Sequence, residues 1–297
     1  MKYRQLGLVG CGLMGGSFAL ALKRANLVQR VVGCSLTPET TEQARELGVI
    51  DAVAKSAREA ASGADLVLLA VPVAATEATL KALRDVVTPD MLLMDVGSTK
   101  RDVVDAARRA LRDKVGGFVP AHPVAGKERA GVEHAEAKLF DGRQVILTPF
   151  NVTSAGHLEQ ARALWRALGA EVNVMTAEAH DAAFAAVSHL PHLLSFAFFA
   201  GILNQSQAQD FLALAGPGFR DFTRIAAGDP AMWRDILIAN REEVLRQSSQ
   251  FRAALNGFEQ LLKAGDATAL AAVIQEVSLA RSRWSIDASR SGAAGGR

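Results

Sequence analysis

The sequence predicts an α/β Rossmann-type domain over residues 1–175, followed by an all-α helical domain over residues 176–290. Three observations predict it. Short apolar runs alternate with helical patterns as far as about Met175, the sequence form of repeated βαβ units. A glycine-rich turn directly follows the first of those runs. Beyond Met175 no convincing strand follows, and the apolar residues recur at helical spacing.

Taken in order, the strand candidates of the first part are Leu6–Gly10, Arg30–Cys34, Leu66–Val71, Met91–Val96 and Gly117–Ala121. Helical stretches between them include Gly15–Ala25, Thr40–Leu47, Ala74–Val87 and Lys100–Leu111. Strands this apolar suit a parallel sheet covered on both faces. Two further runs, Gln144–Thr148 and Glu171–Met175, flank a helix near Leu158–Leu168 and are expected to extend the same sheet.

In the second part, His192–Asn204 is apolar almost all the way round, which predicts burial on every side. Asp229-Pro230 is a helix start, since Asp caps and Pro is favoured at the first helical position. Val244, Phe251, Leu255, Phe258 and Leu262 then recur at a near-heptad spacing. A last helix from Asp266 places Leu270, Val273, Val277, Ala280 and Trp284 on one stripe. So much apolar helix in a small domain predicts burial against a second copy, a homodimer through the helical domain. The small, Gly-rich tail at residues 291–297 reads as disordered.

Bulk properties narrow the function. Of the 297 residues 49% are hydrophobic, enough to bury a core and exclude global disorder. The net charge of +2, with both signs interleaved, leaves no electrostatic footprint for nucleic acid or an anionic membrane. Two cysteines, Cys11 and Cys34, give no disulfide framework and fit a reducing compartment. No secretory pattern precedes the first strand, and Leu193–Leu203 is short of the roughly 18 apolar residues of a membrane span. A cytoplasmic location is expected.

Gly10-Cys11-Gly12-Leu13-Met14-Gly15 follows a strand and opens a helix, the context that a phosphate-cradling GxGxxG requires. The first glycine permits the turn, the second lets a pyrophosphate approach the backbone, and the third permits helix–strand packing. NAD or NADP is the implied cofactor. A carboxylate is expected about 20 residues on when NAD is preferred, but Ser35 stands there, with Thr37 close behind. That substitution tilts the reading towards NADP, although no arginine follows immediately. Val71 and Pro72, after the third strand, complete the expected cofactor contacts. Cys11 reads as a backbone spacer within the turn.

Two more segments bring polar residues to strand ends, Asp95–Lys100 and Ala121–Glu128. On position alone, His122 is as readily structural as catalytic. The run His122-Pro123-Val124-Ala125-Gly126, then Glu128 and Gly131, resembles the HPxxGxExxG signature of prephenate and arogenate dehydrogenases. Ser188-His189-Leu190-Pro191-His192, Gly218–Ala226 and Asp229-Pro230-x-Met232-Trp233 resemble the helical domain of the same family. The likeness runs from Leu6 to about Trp284.

The resemblance implies an oxidative decarboxylation of a cyclohexadienol in tyrosine biosynthesis. It implies that His122 is the catalytic base and that Ser98 hydrogen-bonds around the same hydroxyl and the histidine. It further implies that Arg220 binds a substrate carboxylate and that His189 is a second site histidine. Lys127 stands where the family commonly has Thr or Ser. It either adds a cationic contact to the substrate or points into solvent, which leaves prephenate against arogenate open. His189 and His192 share helical spacing, but no third ligand accompanies them and no metal is expected. Two rivals remain. A β-hydroxyacid dehydrogenase would mark a helical-domain lysine where His and Arg stand here. A non-catalytic dinucleotide sensor would leave His122, Ser98 and Arg220 unexplained.

Overall fold

The computed structural model describes residues 2–126 and 129–285, so Lys127 and the tail at 291–297 lie outside the described residues. The chain forms two compact units, Met1–Val244 and Leu245–Arg297.

In the first unit the strands are β1 (Tyr3–Val9), β2 (Val28–Cys34), β3 (Ala52–Val53), β4 (Leu66–Leu69), β5 (Leu92–Asp95), β6 (Phe118–Val119), β7 (Ala121–Pro123), β8 (Gln144–Leu147) and β9 (Glu171–Val174). The helices are α1 (Leu13–Arg24), α2 (Pro38–Glu46), α3 (Ala57–Ala61), α4 (Thr76–Leu83), α5 (Arg101–Leu111), α6 (Ala155–Ala167), α7 (Ala177–Phe184), α8 (Leu190–Leu203), α9 (Ala208–Ala213), α10 (Pro217–Thr223) and α11 (Pro230–Ala239). Six strands form a parallel sheet in the order β3-β2-β1-β4-β5-β6. Leu6, Leu8, Leu66, Leu68, Leu92 and Met94 are buried in it, as expected for strands covered on both faces.

β8 and β9 do not extend that sheet. They form a second, three-stranded sheet with β7, which pairs antiparallel with β8. The expected strand Gly117–Ala121 is broken at Pro120. Proline has no N–H to give a ladder, and Ala121 N donates instead to Asp95 Oδ1 at 3.0 Å. The chain therefore changes sheet one residue before His122.

The helical part departs from expectation in one respect. α7, a five-residue π-helical turn (Ala185–His189) and α8 run on as 27 helical residues, long and apolar enough by composition to cross a membrane. The shorter apolar stretch seen in the sequence therefore understated this helix. Yet in α8 only Leu190 and Ser195 are buried, and Phe198 is 43% exposed. Its apolar surface is not covered on every side within one chain, because α9 and α10 are short. α11 begins as its sequence predicts, with Asp229 Oδ1 accepting from Met232 N at 2.7 Å.

α12 (Arg241–Ala264) continues from the first unit into the second. The second unit holds its greater part and α13 (Ala267–Arg283), whose first turn is capped by Asp266 on Ala269 N at 2.9 Å. Among its described residues none is buried, and Phe251, Leu255, Leu262 and Val277 of the predicted stripes are exposed.

Candidate active site

The glycine turn is built as its sequence requires. Gly10 has φ +96°, and a Cβ there would lie 2.2 Å from the Ala70 carbonyl. A Cβ at Gly15 would lie 2.1 Å from the Gly10 carbonyl, so α1 packs against the turn only without a side chain. A Cβ on Gly12 would meet nothing within 4 Å, which is the open approach a pyrophosphate needs. Gly12 caps α1 without a side-chain bond, and the first turn has no acidic residue, so the Leu13 and Met14 end of the helix presents N–H groups and positive dipole. These residues fit a dinucleotide.

Ser35 and the Val71-Pro72 segment gather around the same turn. Ser35 Oγ accepts from Cys11 N at 2.9 Å, and Ala70, whose carbonyl abuts Gly10, leads directly into Val71 and Pro72. Thr37 caps α2, accepting from Thr40 N at 3.4 Å. The Cys11 side chain is fully buried and burial pushes its thiol pKa up, so it is an inert spacer.

His122 stands on β7 opposite Ile146, buried, with its ring 4.6 Å from that of Phe184. It lines a cleft of about 470 Å³ with Pro123, Arg143, Phe184, Val187 and Ser188. His122 Nδ1 lies 2.8 Å from His180 Nε2, and His180 Nδ1 lies 2.7 Å from Asp181 Oδ1. Asp181 also accepts from Lys100 N at 2.8 Å and Arg101 N at 2.9 Å, at the start of α5. Burial first, then His180 and Lys100, pushes the His122 pKa well below that of an ordinary histidine. Burial alone would raise the Asp181 pKa; the hydrogen bonds from His180 and the two backbone N–H groups reverse it, and the carboxylate is held ionised.

Beneath His122 lies a buried ion pair. Lys100 Nζ contacts Asp95 Oδ2 and donates to the Ala121 carbonyl at 2.9 Å, while Asp95 also accepts from Gly97 N at 2.8 Å. One lysine and one carboxylate thus tie the end of β5 to the residue preceding His122.

The predicted site residues are only partly brought together. His189 is buried, accepts from Asn240 Nδ2 at 3.1 Å through Nδ1, and has its pKa lowered to about 4, chiefly by burial. Ser98 sits half-buried after β5, but His122 Nδ1 is bonded to His180 rather than to this serine. Arg220, on α10, is exposed and paired with Asp221 at 3.2 Å; it is not among the residues lining the His122 cleft. Among the described residues the cation lining that cleft is Arg143, which makes no ion pair with any of them. His192 stacks on Trp233 at 3.5 Å, and its Nδ1 meets the Ser188 carbonyl at 2.9 Å.

Sequence reasoning missed His180, Asp181, Arg143 and the Asp95–Lys100 pair. The one available signal was chemical. A His-Asp doublet in a mostly apolar helix must find partners where it is buried, because unpaired charge is not buried.

A parallel sheet with a glycine turn cradle, and a buried histidine opening on a cleft, define a nicotinamide-dependent dehydrogenase. Comparison with known proteins narrows the class. Residues 18–174 match the family described as prephenate dehydrogenase, nucleotide-binding domain, and residues 176–276 match prephenate dehydrogenase, dimerization domain. The chain belongs to the prephenate dehydrogenase family. It is 35% identical to a prephenate dehydrogenase of Bacillus subtilis over 88% of this chain and 70% of that one. It is 32% identical to a cyclohexadienyl dehydrogenase of Zymomonas mobilis over 94% and 95% respectively. A crystal structure of prephenate dehydrogenase from A. aeolicus, in complex with hydroxyphenyl propionate and NAD+, superposes with a TM-score of 0.89 at 35% identity, covering 95% of this chain and 98% of that one.

Proposed function

We propose that this protein oxidatively decarboxylates prephenate, L-arogenate or both, giving 4-hydroxyphenylpyruvate or tyrosine, as a cytoplasmic homodimer using NAD or NADP. The observation that carries the reading is His122, buried and held neutral, with Nδ1 engaged and Nε2 left for the cleft. Bound NAD(P)+ supplies the hydride acceptor. His122 Nε2 accepts the C4 hydroxyl proton, while the C4 hydrogen leaves as hydride and the ring carboxylate departs as carbon dioxide. The electrons of the broken carbon–carbon bond complete the aromatic ring and leave a phenolate, which takes the proton back from His122 to give the product hydroxyl. The protein's task is therefore orientation, proton transfer and anion binding.

Arg143, on the cleft, and Arg220, carried over from the family motif, are the carboxylate ligands, a task for which the planar guanidinium is suited. Gly10, Gly12 and Gly15 hold the pyrophosphate, with Leu13, Met14, Val71 and Pro72 around it. Ser35 in place of a carboxylate favours NADP alongside NAD. The Zymomonas relative bears a name that covers cyclohexadienyl substrates broadly, which supports use of both prephenate and L-arogenate. The exposed apolar face of α8 supports a homodimer, as does the match to a dimerization domain.

The test is a steady-state matrix of prephenate and L-arogenate against NAD and NADP, read as reduced cofactor. Turnover is expected with at least one pair, with NADP accepted. No turnover with any pair overturns the proposal.

A further inference from the structure

We propose that His180 and Asp181 are positioning residues that fix the tautomer of His122, so that its cleft-facing Nε2 carries the lone pair. This rests on the reading of His122 as the base. The direction of each bond follows from donor and acceptor chemistry. An ionised carboxylate only accepts, and Asp181 already accepts two backbone N–H groups at the start of α5. His180 Nδ1, 2.7 Å from Asp181 Oδ1, must therefore hold a proton. Neutral His180 then has only a lone pair at Nε2, and at 2.8 Å this accepts from His122 Nδ1–H. Neutral His122 is left with an unprotonated Nε2. The opposite tautomer would present an N–H to the substrate hydroxyl and remove no proton.

The chain is also held in place. The Phe184 ring stacks on His180 at 4.4 Å and meets His122 at 4.6 Å, so neither imidazole turns freely. Asn240 Nδ2 donates to the Asp181 carbonyl at 2.8 Å, fixing the backbone of the doublet. Among the described residues the charged and titratable groups near the pair are Lys100, Asp95, His189 and, across the cleft, Arg143. Lys100 and His189 disfavour a charged His122, while Lys100 lowers and Asp95 raises the pKa of His180. When His122 gains the substrate proton, the imidazolium donates through Nδ1 to a neutral acceptor whose far side rests on an anion.

Three substitutions in the intact protein separate positioning from mere structure. His180→Phe removes the acceptor, and Asp181→Asn removes the anion that holds the proton on His180 Nδ1 and steadies the charged pair when His122 gains a proton. Each is expected to lower turnover by about 10²-fold or more, as a wrong tautomer does in other imidazole bases, with substrate KM and cofactor dissociation constants within about threefold of the parent. His180→Gln places Oε1 near the position of the lost Nε2 and is expected to restore turnover to within about tenfold.

Long-range proton–nitrogen spectra of the ¹⁵N-histidine-labelled unsubstituted protein give a readout independent of folding of any variant. The resonance lost in His122→Asn is expected to show a protonated Nδ1 and a bare Nε2. A protonated Nε2 overturns the proposal, as does near-parental turnover in His180→Phe while His122→Asn is inactive. That second pattern would leave the reading of His122 as base intact. Near-parental turnover in His122→Asn would remove the reading itself.

Discussion

Replacing Lys100 by Met tests how the site is anchored to the sheet. Lys100 has no exposed surface and Asp95 is buried, so the substitution strands a carboxylate away from water. Asp95 keeps its bonds from Gly97 N and Ala121 N but loses its cation, and the Ala121 carbonyl loses its donor. Breaking a buried pair by removing one partner costs about 3–5 kcal/mol, because the uncompensated charge stays behind. The assay is urea unfolding at fixed protein concentration, since the proposed dimer would make apparent stability depend on it. The midpoint should fall by about 1 M or more for the slope typical of a chain this size. Lys100→Met combined with Asp95→Asn should recover part of the loss, because the amide removes the stranded charge. A single-variant loss below about 1 kcal/mol would refute the reasoning, showing that water or another group compensates Asp95.

Stability should also fall in acid. His189 has a folded pKa of about 4 against 6.5 unfolded, so the unfolded chain binds the extra proton first; stability is complete above pH 6.5 and is lost as pH falls towards 4. The loss is about 3 kcal/mol from this residue alone, and His122 and His180 shift in the same direction. Thermal melts from pH 8 to pH 5 that stay level would contradict it. Arg143→Ala should raise the substrate KM about tenfold or more while leaving cofactor dissociation unchanged; equal weakening of both would remove Arg143 from the substrate side. Ser35→Asp should move preference towards NAD by repelling a 2′-phosphate, and an unchanged NADP constant would mean that Ser35 does not face the ribose.

How much was legible in the sequence depends on the range of each interaction. The parallel sheet and the glycine turn were readable because their signals are local: apolar runs, and glycines whose Cβ atoms would strike Ala70 or Gly10. His122 was readable from its strand-end position and motif. The second sheet was not, because Pro120 breaks a run that otherwise looks continuous and the partner strands lie 21 or more residues on in the chain. The His180–Asp181 doublet was hidden for a similar reason. Its meaning lies in a bond to a residue 58 positions away and in N–H groups 80 and 81 positions away. Arg143 gave no signal at all, since a surface arginine in a Gly-Arg-Gln turn looks like any other until the fold sets it beside His122. The exposed face of α8 agrees with the expectation of a second copy, because periodicity reports what a helix must bury and not whether its own chain can bury it.

The central claim is that His122 removes the substrate proton. Its most direct test compares turnover of the unsubstituted protein and His122→Asn, with prephenate and the better cofactor at saturation. Turnover should fall by roughly 10² to 10⁴, with substrate and cofactor still bound at near-parental affinity. Turnover within a few-fold of the parent would contradict the account, and another group would then be the base.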